Sequence, residues 1–412
     1  MEHSTSVEIA KHTLMSGGFI LAVGTATGLL AQRLKIPDVA LLLLVGILIG
    51  PEVLGLIDIK ADSALYQILL LFGASYILFD GGASLRFGVI KQVWITIVII
   101  ATVGVLITAA VTTLAAHFVL DAPWMIAGLL GATLASTDPA TLVPIFREVR
   151  IRDRVAQMVV SESAFNDATG AIVTFGILAA ATGTGDFSLT SSVLHLLTEA
   201  AVGIAAGAML GYLAALLIAH ERWAFLMEYA PVVTVMAVIG AYFAADGLRA
   251  SGFMAVFVFG IMLGNRGSLG FKVAASETRN LDQFVETTAF IMRLFIFILL
   301  GGQVDFGLMN QYLWPGIIVV AILMFVARPL TVFLCALPDR RARWSFSEML
   351  FMCWTRETGV IPAALAGILL GVKAPGARMI ASVTFIAVFM TILIQAPTTR
   401  WLGARLGLLE EL

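Results

Sequence analysis

Charge is scarce in this chain. Only 13% of its 412 residues are charged while 60% are hydrophobic, against about a quarter charged in an ordinary soluble domain. A water-soluble fold cannot hide that much apolar surface, so the bilayer must be the solvent for most of it. The net charge is −2, with no acidic or basic tail, and nothing suggests a nucleic-acid partner. Cysteine is nearly absent. Cys335 and Cys353 lie in apolar segments and form no CxxC, which reads as packing rather than a disulfide or a metal site. His3, His12, His117, His195 and His220 are scattered near predicted helix ends. None is spaced as a metal pair, so each is read as an interfacial residue. The opening MEHSTSVEIAKHTLMSGG lacks the basic start and short apolar run of a cleaved signal peptide. No Ser–His or paired catalytic Asp arrangement stands out, so the chain is not expected to be an enzyme, and no cofactor is expected.

Long apolar runs are what the chain has instead. Reading for stretches of about 17–25 residues gives thirteen candidate spans, at about 14–31, 38–57, 64–85, 93–117, 122–146, 155–181, 191–218, 224–245, 250–265, 283–303, 311–337, 346–371 and 377–399. The class is an all-α polytopic membrane protein with short connecting loops and no room between spans for a soluble domain. Loops after odd-numbered spans, with the C-terminus, carry 17 of the 25 Lys and Arg. The other side carries Lys11, Lys60, Arg249, Lys373 and Arg378, and Arg293, Arg328 and Arg356 fall inside spans. Cationic loops stay cytoplasmic, which predicts an outside N-terminus and a cytoplasmic C-terminus in the cell membrane.

The sequence repeats itself. STDPATLVP (Ser136–Pro144) in span 5 and WTRETGVIP (Trp354–Pro362) in span 12 share Thr, a charge, a small or polar run and a Pro. GILIG (Gly46–Gly50) in span 2 meets GIMLG (Gly260–Gly264) in span 9, and GGASLRFG (Gly81–Gly88) in span 3 meets GGQVDFG (Gly301–Gly307) in span 10. An odd number of spans separates the copies, so the second runs the opposite way through the bilayer. Inverted repeats are the architecture of secondary transporters, whose sites lie near the midplane where helices are interrupted. Pro139 and Pro144 are expected to break span 5, and Gly359 and Pro362 to break span 12. The two unwound helices then cross, with Asp138 neutralising helix N-termini and Arg356 neutralising C-termini.

Between them lies SESAFNDATG (Ser161–Gly170) in span 6. Glu162 and Asn166 are spaced i, i+4, as are Ser163 and Asp167, so both pairs line one helix face. Carboxylates at this depth are functional by default. Arg328 in FVARPL of span 11 is the candidate partner of Glu162, which leaves Asp167 for a transported cation. Burial favours the protonated carboxyl and a bound cation the ionised one, so proton and cation compete for it. An alkali cation wants hard oxygens, which Asp167, the Ser163 hydroxyl and the Thr137 carbonyl can supply. Asp80 in LFDGGASL is a further acidic candidate, with an interfacial carboxylate as the alternative reading.

TDPA in span 5, SESAFNDATG in span 6, the Arg of an AR pair in span 11 and thirteen spans with inverted halves resemble the monovalent cation:proton antiporters, in the electroneutral NhaP-like branch. The resemblance covers essentially the whole chain, and its most specific part is the Asn166–Asp167 pair. It implies that Asp167 binds cation and proton in turn, with Ser163 and Thr137 as co-ligands and Asp80 at the site. It implies that Glu162 and Asn166 are organised by Arg328, and that Asp138 and Arg356 compensate crossed half-helices. It further implies a homodimer, with spans 1–3 and 7–10 (about 14–85 and 191–303) as interface and spans 4–6 and 11–13 (about 93–181 and 311–399) as a moving six-helix transport bundle. One proton is then exchanged per sodium or potassium ion by alternating access. Where many relatives have Gly-Arg-Gly in span 12, this chain has Thr355-Arg356-Glu357-Thr358-Gly359. Glu357 either pairs with Arg356 or alters ion preference, and Arg293 either snorkels or pairs within the protein. A potassium/proton antiporter is the near alternative to sodium/proton exchange. An organic-anion symporter of the same architecture is the alternative from another class.

Overall fold

The computed structural model describes residues 2–34, 38–60, 63–137, 142, 146, 149–182, 189–219, 226–271 and 275–410. The helices are α1 (Glu2–Leu34), α2 (Asp38–Ile49), α3 (Ala64–Ala83), α4 (Phe87–Leu120), α5 (Trp124–Ala135), α6 (Asp153–Ala181) and α7 (Leu189–Ala219). They continue with α8 (Ala230–Gly247), α9 (Gly252–Gly264), α10 (Ala275–Gly302), α11 (Phe306–Ala336), α12 (Phe346–Trp354), α13 (Val360–Gly371) and α14 (Ala377–Arg405). Among the described residues there is no strand, only an isolated bridge between Ile151 and Leu409. Nine described helices are long and apolar enough to cross a bilayer, and α2, α5, α9 and α13 are shorter apolar helices. The spans of the sequence are recovered as helices α1 to α11, with α12 and α13 sharing span 12 and α14 forming the last.

Several ends move from their expected places. The second span was expected to run to 57, but α2 stops at Ile49, followed by turns and extended chain. Pro51 has no amide hydrogen to continue the ladder and restricts the residue before it. Helix α1 begins at Glu2 rather than near 14, and α4 at Phe87 rather than near 93. Starts elsewhere follow capping chemistry. Ser63 accepts from Tyr66 N, Ser251 from Met254 N and Asp305 from Leu308 N, and Ser345 with Glu348 forms a capping box. Among the described residues three helices carry a single π turn, at Ile100–Gly104 in α4, Leu323–Ala327 in α11 and Thr391–Gln395 in α14.

The repeat is visible in the packing. Helix α2 crosses α10 so closely that a Cβ on Gly46 would strike the Ile298 carbonyl, and one on Gly301 the Leu43 carbonyl. Helix α3 crosses α9 in the same way, with Gly260 against the Phe79 carbonyl and Gly82 against that of Phe257. Each contact of the first crossing maps onto one of the second by adding 214 to the residues of α2 and subtracting 219 from those of α10. Apolar cores surround these crossings. One joins α3 with α7, α8, α9 and α10, through Tyr76, Phe79, Ile218, Val238 and Phe259. Another joins α4, α5, α11 and α14, through Ala116, Leu130, Val320, Leu323 and Val383.

On one side of the molecule a polar knot ties the loops together. Asp339, after α11, accepts from Thr96 Oγ1 (2.6 Å) and from the backbone amides of Arg341 and Ala342. Burial works to raise the Asp339 carboxyl, but these hydrogen bonds outweigh it and hold the group below the usual carboxylate range. Trp344 Nε1 donates to the same Thr96 hydroxyl, and the Arg154 guanidinium lies over the Trp344 ring.

Candidate functional site

Helix α5 ends at Ala135, and Ser136 turns the chain into an extended conformation. Asp138, Pro139 and Pro144 lie outside the described residues. The break in span 12 is described throughout. Helix α12 stops at Trp354, Thr355–Gly359 is non-helical and α13 starts at Val360. Pro362 stands in the first turn of α13 rather than in the gap, where the absence of its amide hydrogen costs nothing. The two breaks touch. Arg356, buried, donates from Nη2 to the carbonyls of Leu134 (2.7 Å) and Ala135 (3.0 Å), at the end of α5. The last carbonyls of a helix have no partner within it and carry its negative pole, and a guanidinium meets both needs.

Helix α6 supplies the partners for the start of the span 5 break. Asn166 accepts from Thr137 N (3.0 Å) and its amide donates to Thr137 Oγ1 (2.7 Å). The hydroxyls of Thr137 and Ser163 are 2.8 Å apart. A Cβ on Gly170 would strike the Ser136 hydroxyl, so this glycine lets the extended chain lie directly against α6. Arg328 of α11 grips Glu162 with both terminal nitrogens, Nη2 to Oε2 at 2.8 Å, and its Nε donates to the Met352 carbonyl of α12 (3.0 Å). Asn166 Nδ2 also reaches Glu162 Oε1 (3.4 Å). One chain of contacts therefore joins Thr137, Asn166, Glu162, Arg328 and Met352. Both members of the ion pair are about 2% exposed, and a buried pair of this kind stands only when its geometry is satisfied on both sides.

Asp167 follows Asn166 and lies one turn beyond Ser163 on α6, fully buried. Ala171, a further turn on, lines a cavity of about 690 Å³ between α3, α6, α8, α9 and α13, which Glu199, Asp246 and Arg249 also line. Asp80 is half-buried near the end of α3 and lines a cavity of about 720 Å³ with Arg266, Asp282 and Glu286. Arg293 approaches Asp38 (3.9 Å) and lies over the Phe290 ring. Cys335 and Cys353 are free and buried. Among the described residues no cluster of His, Cys, Asp and Glu is arranged to hold a metal ion.

Reading from single segments found α14 as a span but not its contact with the span 12 break. Its Thr391 accepts from Thr358 N (3.0 Å), just as Asn166 of α6 accepts from Thr137 N in the other half. The repeat was the signal that could have found it, since it sets α6 on α14 as it sets span 5 on span 12.

Inverted halves, two interrupted spans meeting in the apolar interior and a buried carboxylate beside them define a secondary transporter. The transmembrane model of the sodium/hydrogen exchanger family matches residues 18–405, and the chain belongs to that family. It is 34% identical to Na(+)/H(+) antiporter 1 of Methanocaldococcus jannaschii, over 85% of this chain and 81% of the relative. The solved structure of the sodium proton antiporter MjNhaP1 from the same organism superposes with a TM-score of 0.81 at 29% identity, covering 97% of this chain and 99% of that one. The K(+)/H(+) antiporter NhaP of Alkalimonas amylolytica is 28% identical over 96% of this chain and 68% of its own length. Family membership sets aside both the enzyme and the organic-anion symporter.

Proposed function

We propose that the protein is an electroneutral sodium/proton antiporter that exchanges one cation for one proton by alternating access at Asp167. The observation that carries this reading is the division of labour on α6. Glu162 is neutralised by Arg328, while Asp167 is sealed from solvent one turn from the Ser163 and Thr137 hydroxyls. A buried carboxylate takes up a proton or a small cation one at a time, and competition becomes exchange. Asp167, Ser163 and Thr137 offer the hard oxygens an alkali ion prefers, with Asp80 as an acidic residue on the ion's path. Asn166, Glu162 and Arg328 organise the site. Arg356 compensates the crossed half-helices together with Asp138.

The transport bundle of this reading is α4 to α6 with α11 to α14, and it moves against α1 to α3 and α7 to α10, through which two copies pair as a homodimer. The Lys and Arg bias of the loops supports an outside N-terminus and a cytoplasmic C-terminus, in the cell membrane. Potassium/proton exchange is the second reading, favoured by the potassium/proton antiporters among the relatives.

Dissipation of a pH gradient in proteoliposomes by sodium, potassium and lithium tests both, with Asp167→Asn as control. A sodium response lost in the variant is the expected result. A potassium-only response changes the ion and keeps the mechanism, and no response to any alkali cation overturns it.

A further inference from the structure

Glu357 is a further carboxylate sealed inside the crossing, fully buried within the non-helical stretch Thr355–Gly359. Its neighbour Arg356 is committed to the carbonyls at the end of α5. Helix α14 runs alongside this stretch. Trp354 Nε1 donates to Thr398 Oγ1 (2.8 Å) at one end, and Thr358 N donates to Thr391 Oγ1 (3.0 Å) at the other. Gln395 lies between these two contacts. Because Thr391 and Thr398 both contact this stretch, the segment of α14 that carries Gln395, at the end of the π turn Thr391–Gln395, runs along residues 354–358.

Gln395 is fully buried, and among the described residues neither its amide oxygen nor its nitrogen has a hydrogen-bond partner. The same holds for the Thr358 hydroxyl. Polar groups left in this condition inside an apolar core are costly, and a ligand that satisfies them removes the cost.

We propose that Glu357, Gln395 and Thr358 form a second binding station for the transported alkali cation, on the span 12 side of the crossing. A carboxylate, an amide oxygen and a hydroxyl are the hard donor set such an ion takes. Arg328 is within electrostatic reach of Glu357 as well as bound to Glu162, so the two stations share one cationic neighbour. Repeat symmetry places them as counterparts, since the Thr358–Thr391 bond answers the Thr137–Asn166 bond.

The inference rests on the antiport reading, and its test separates the two. Binding of radiolabelled sodium to the purified protein is measured for wild type, Asp167→Asn and the double variant Asp167→Asn/Glu357→Gln. Exchange in proteoliposomes is measured for wild type, Glu357→Gln and Gln395→Met. Asp167→Asn is expected to keep a weak saturable sodium binding that the double variant loses. Glu357→Gln and Gln395→Met are each expected to raise the cation KM about tenfold at wild-type thermal stability, as loss of a ligand or its support does. Absence of binding in Asp167→Asn overturns the station, and so does an unchanged KM in both single variants. If Glu357→Gln does not fold, Gln395→Met, similar in volume and apolar, decides alone. A wild type with no exchange overturns the antiport reading itself. A wild type that exchanges, with single variants that match it, overturns only the second station.

Discussion

The breaks in spans 5 and 12 are built on one plan and furnished differently. In each, an extended residue just past a half-helix donates its backbone amide to a side chain on a long neighbouring helix, Thr137 to Asn166 and Thr358 to Thr391, both at 3.0 Å. The backbone scheme is symmetric and the chemistry is not. Helix α6 carries Glu162, Asn166 and Asp167 around its contact, whereas α14 carries Thr391 and Gln395, and the carboxylate of that half sits in the break itself as Glu357. Symmetry supplies two interrupted helices and a way to hold them. Asymmetry decides where an ion rests.

The comparison breaks hardest at Asp167. Asp167→Asn is expected to reduce cation-driven proton movement to background while thermal unfolding stays near wild type. Next comes the ion pair beneath it. Glu162→Ala or Arg328→Ala strands a buried charge and is expected to cost about 3–5 kcal/mol. The double variant should be less destabilised than either single one, and thermal unfolding of all three checks this. The glycine crossings test the symmetry of the frame. Gly46→Ala and Gly260→Ala each force a methyl onto a facing carbonyl and are expected to lose similar stability, about 1–3 kcal/mol. A large loss in one and none in the other would show that the two crossings are not equivalent.

Smaller effects sharpen the same contrast. Thr391→Val removes one acceptor, a loss of about 1 kcal/mol, while Asn166→Ala removes contacts to Thr137 and Glu162 together and should cost more. The smallest concerns the loop after α11. Because hydrogen bonds hold the Asp339 carboxyl low in the folded protein, its contribution is present above the ordinary carboxylate pKa, near 4. It is lost as pH falls through the lower folded value. Asp339→Asn is expected to flatten that acid-side loss in unfolding experiments carried out from neutral pH downward.

Much of this architecture was legible in the sequence, for reasons that can be named. A bilayer forces apolar runs of fixed length, so the spans were readable, and the repeat was readable because the close crossings place glycine at matching positions in both halves. That Arg328 meets Glu162 followed from the need of a buried guanidinium for a carboxylate. The end of α2 was misjudged because apolar residues continue beyond Pro51, and hydropathy does not register a missing amide hydrogen. That Asp80 lines a cavity with Arg266, Asp282 and Glu286 was not legible, because depth in a span does not say which neighbours a side chain has. Thr391 and Gln395 were invisible because a single Thr or Gln in an apolar helix carries no signal until its partner across the fold is known.

The π turn Leu323–Ala327 ends immediately before Arg328. A π turn is a regular helix with one residue added, so everything after it is rotated by about 100°, one residue's share of a turn. The guanidinium that grips Glu162 thus owes its bearing to a one-residue insertion hidden in an apolar span. Were that turn to close into regular α-helix with the sequence unchanged, Arg328 would swing away from α6 by the same angle. In this protein the aim of a buried cation is set by how one apolar turn winds.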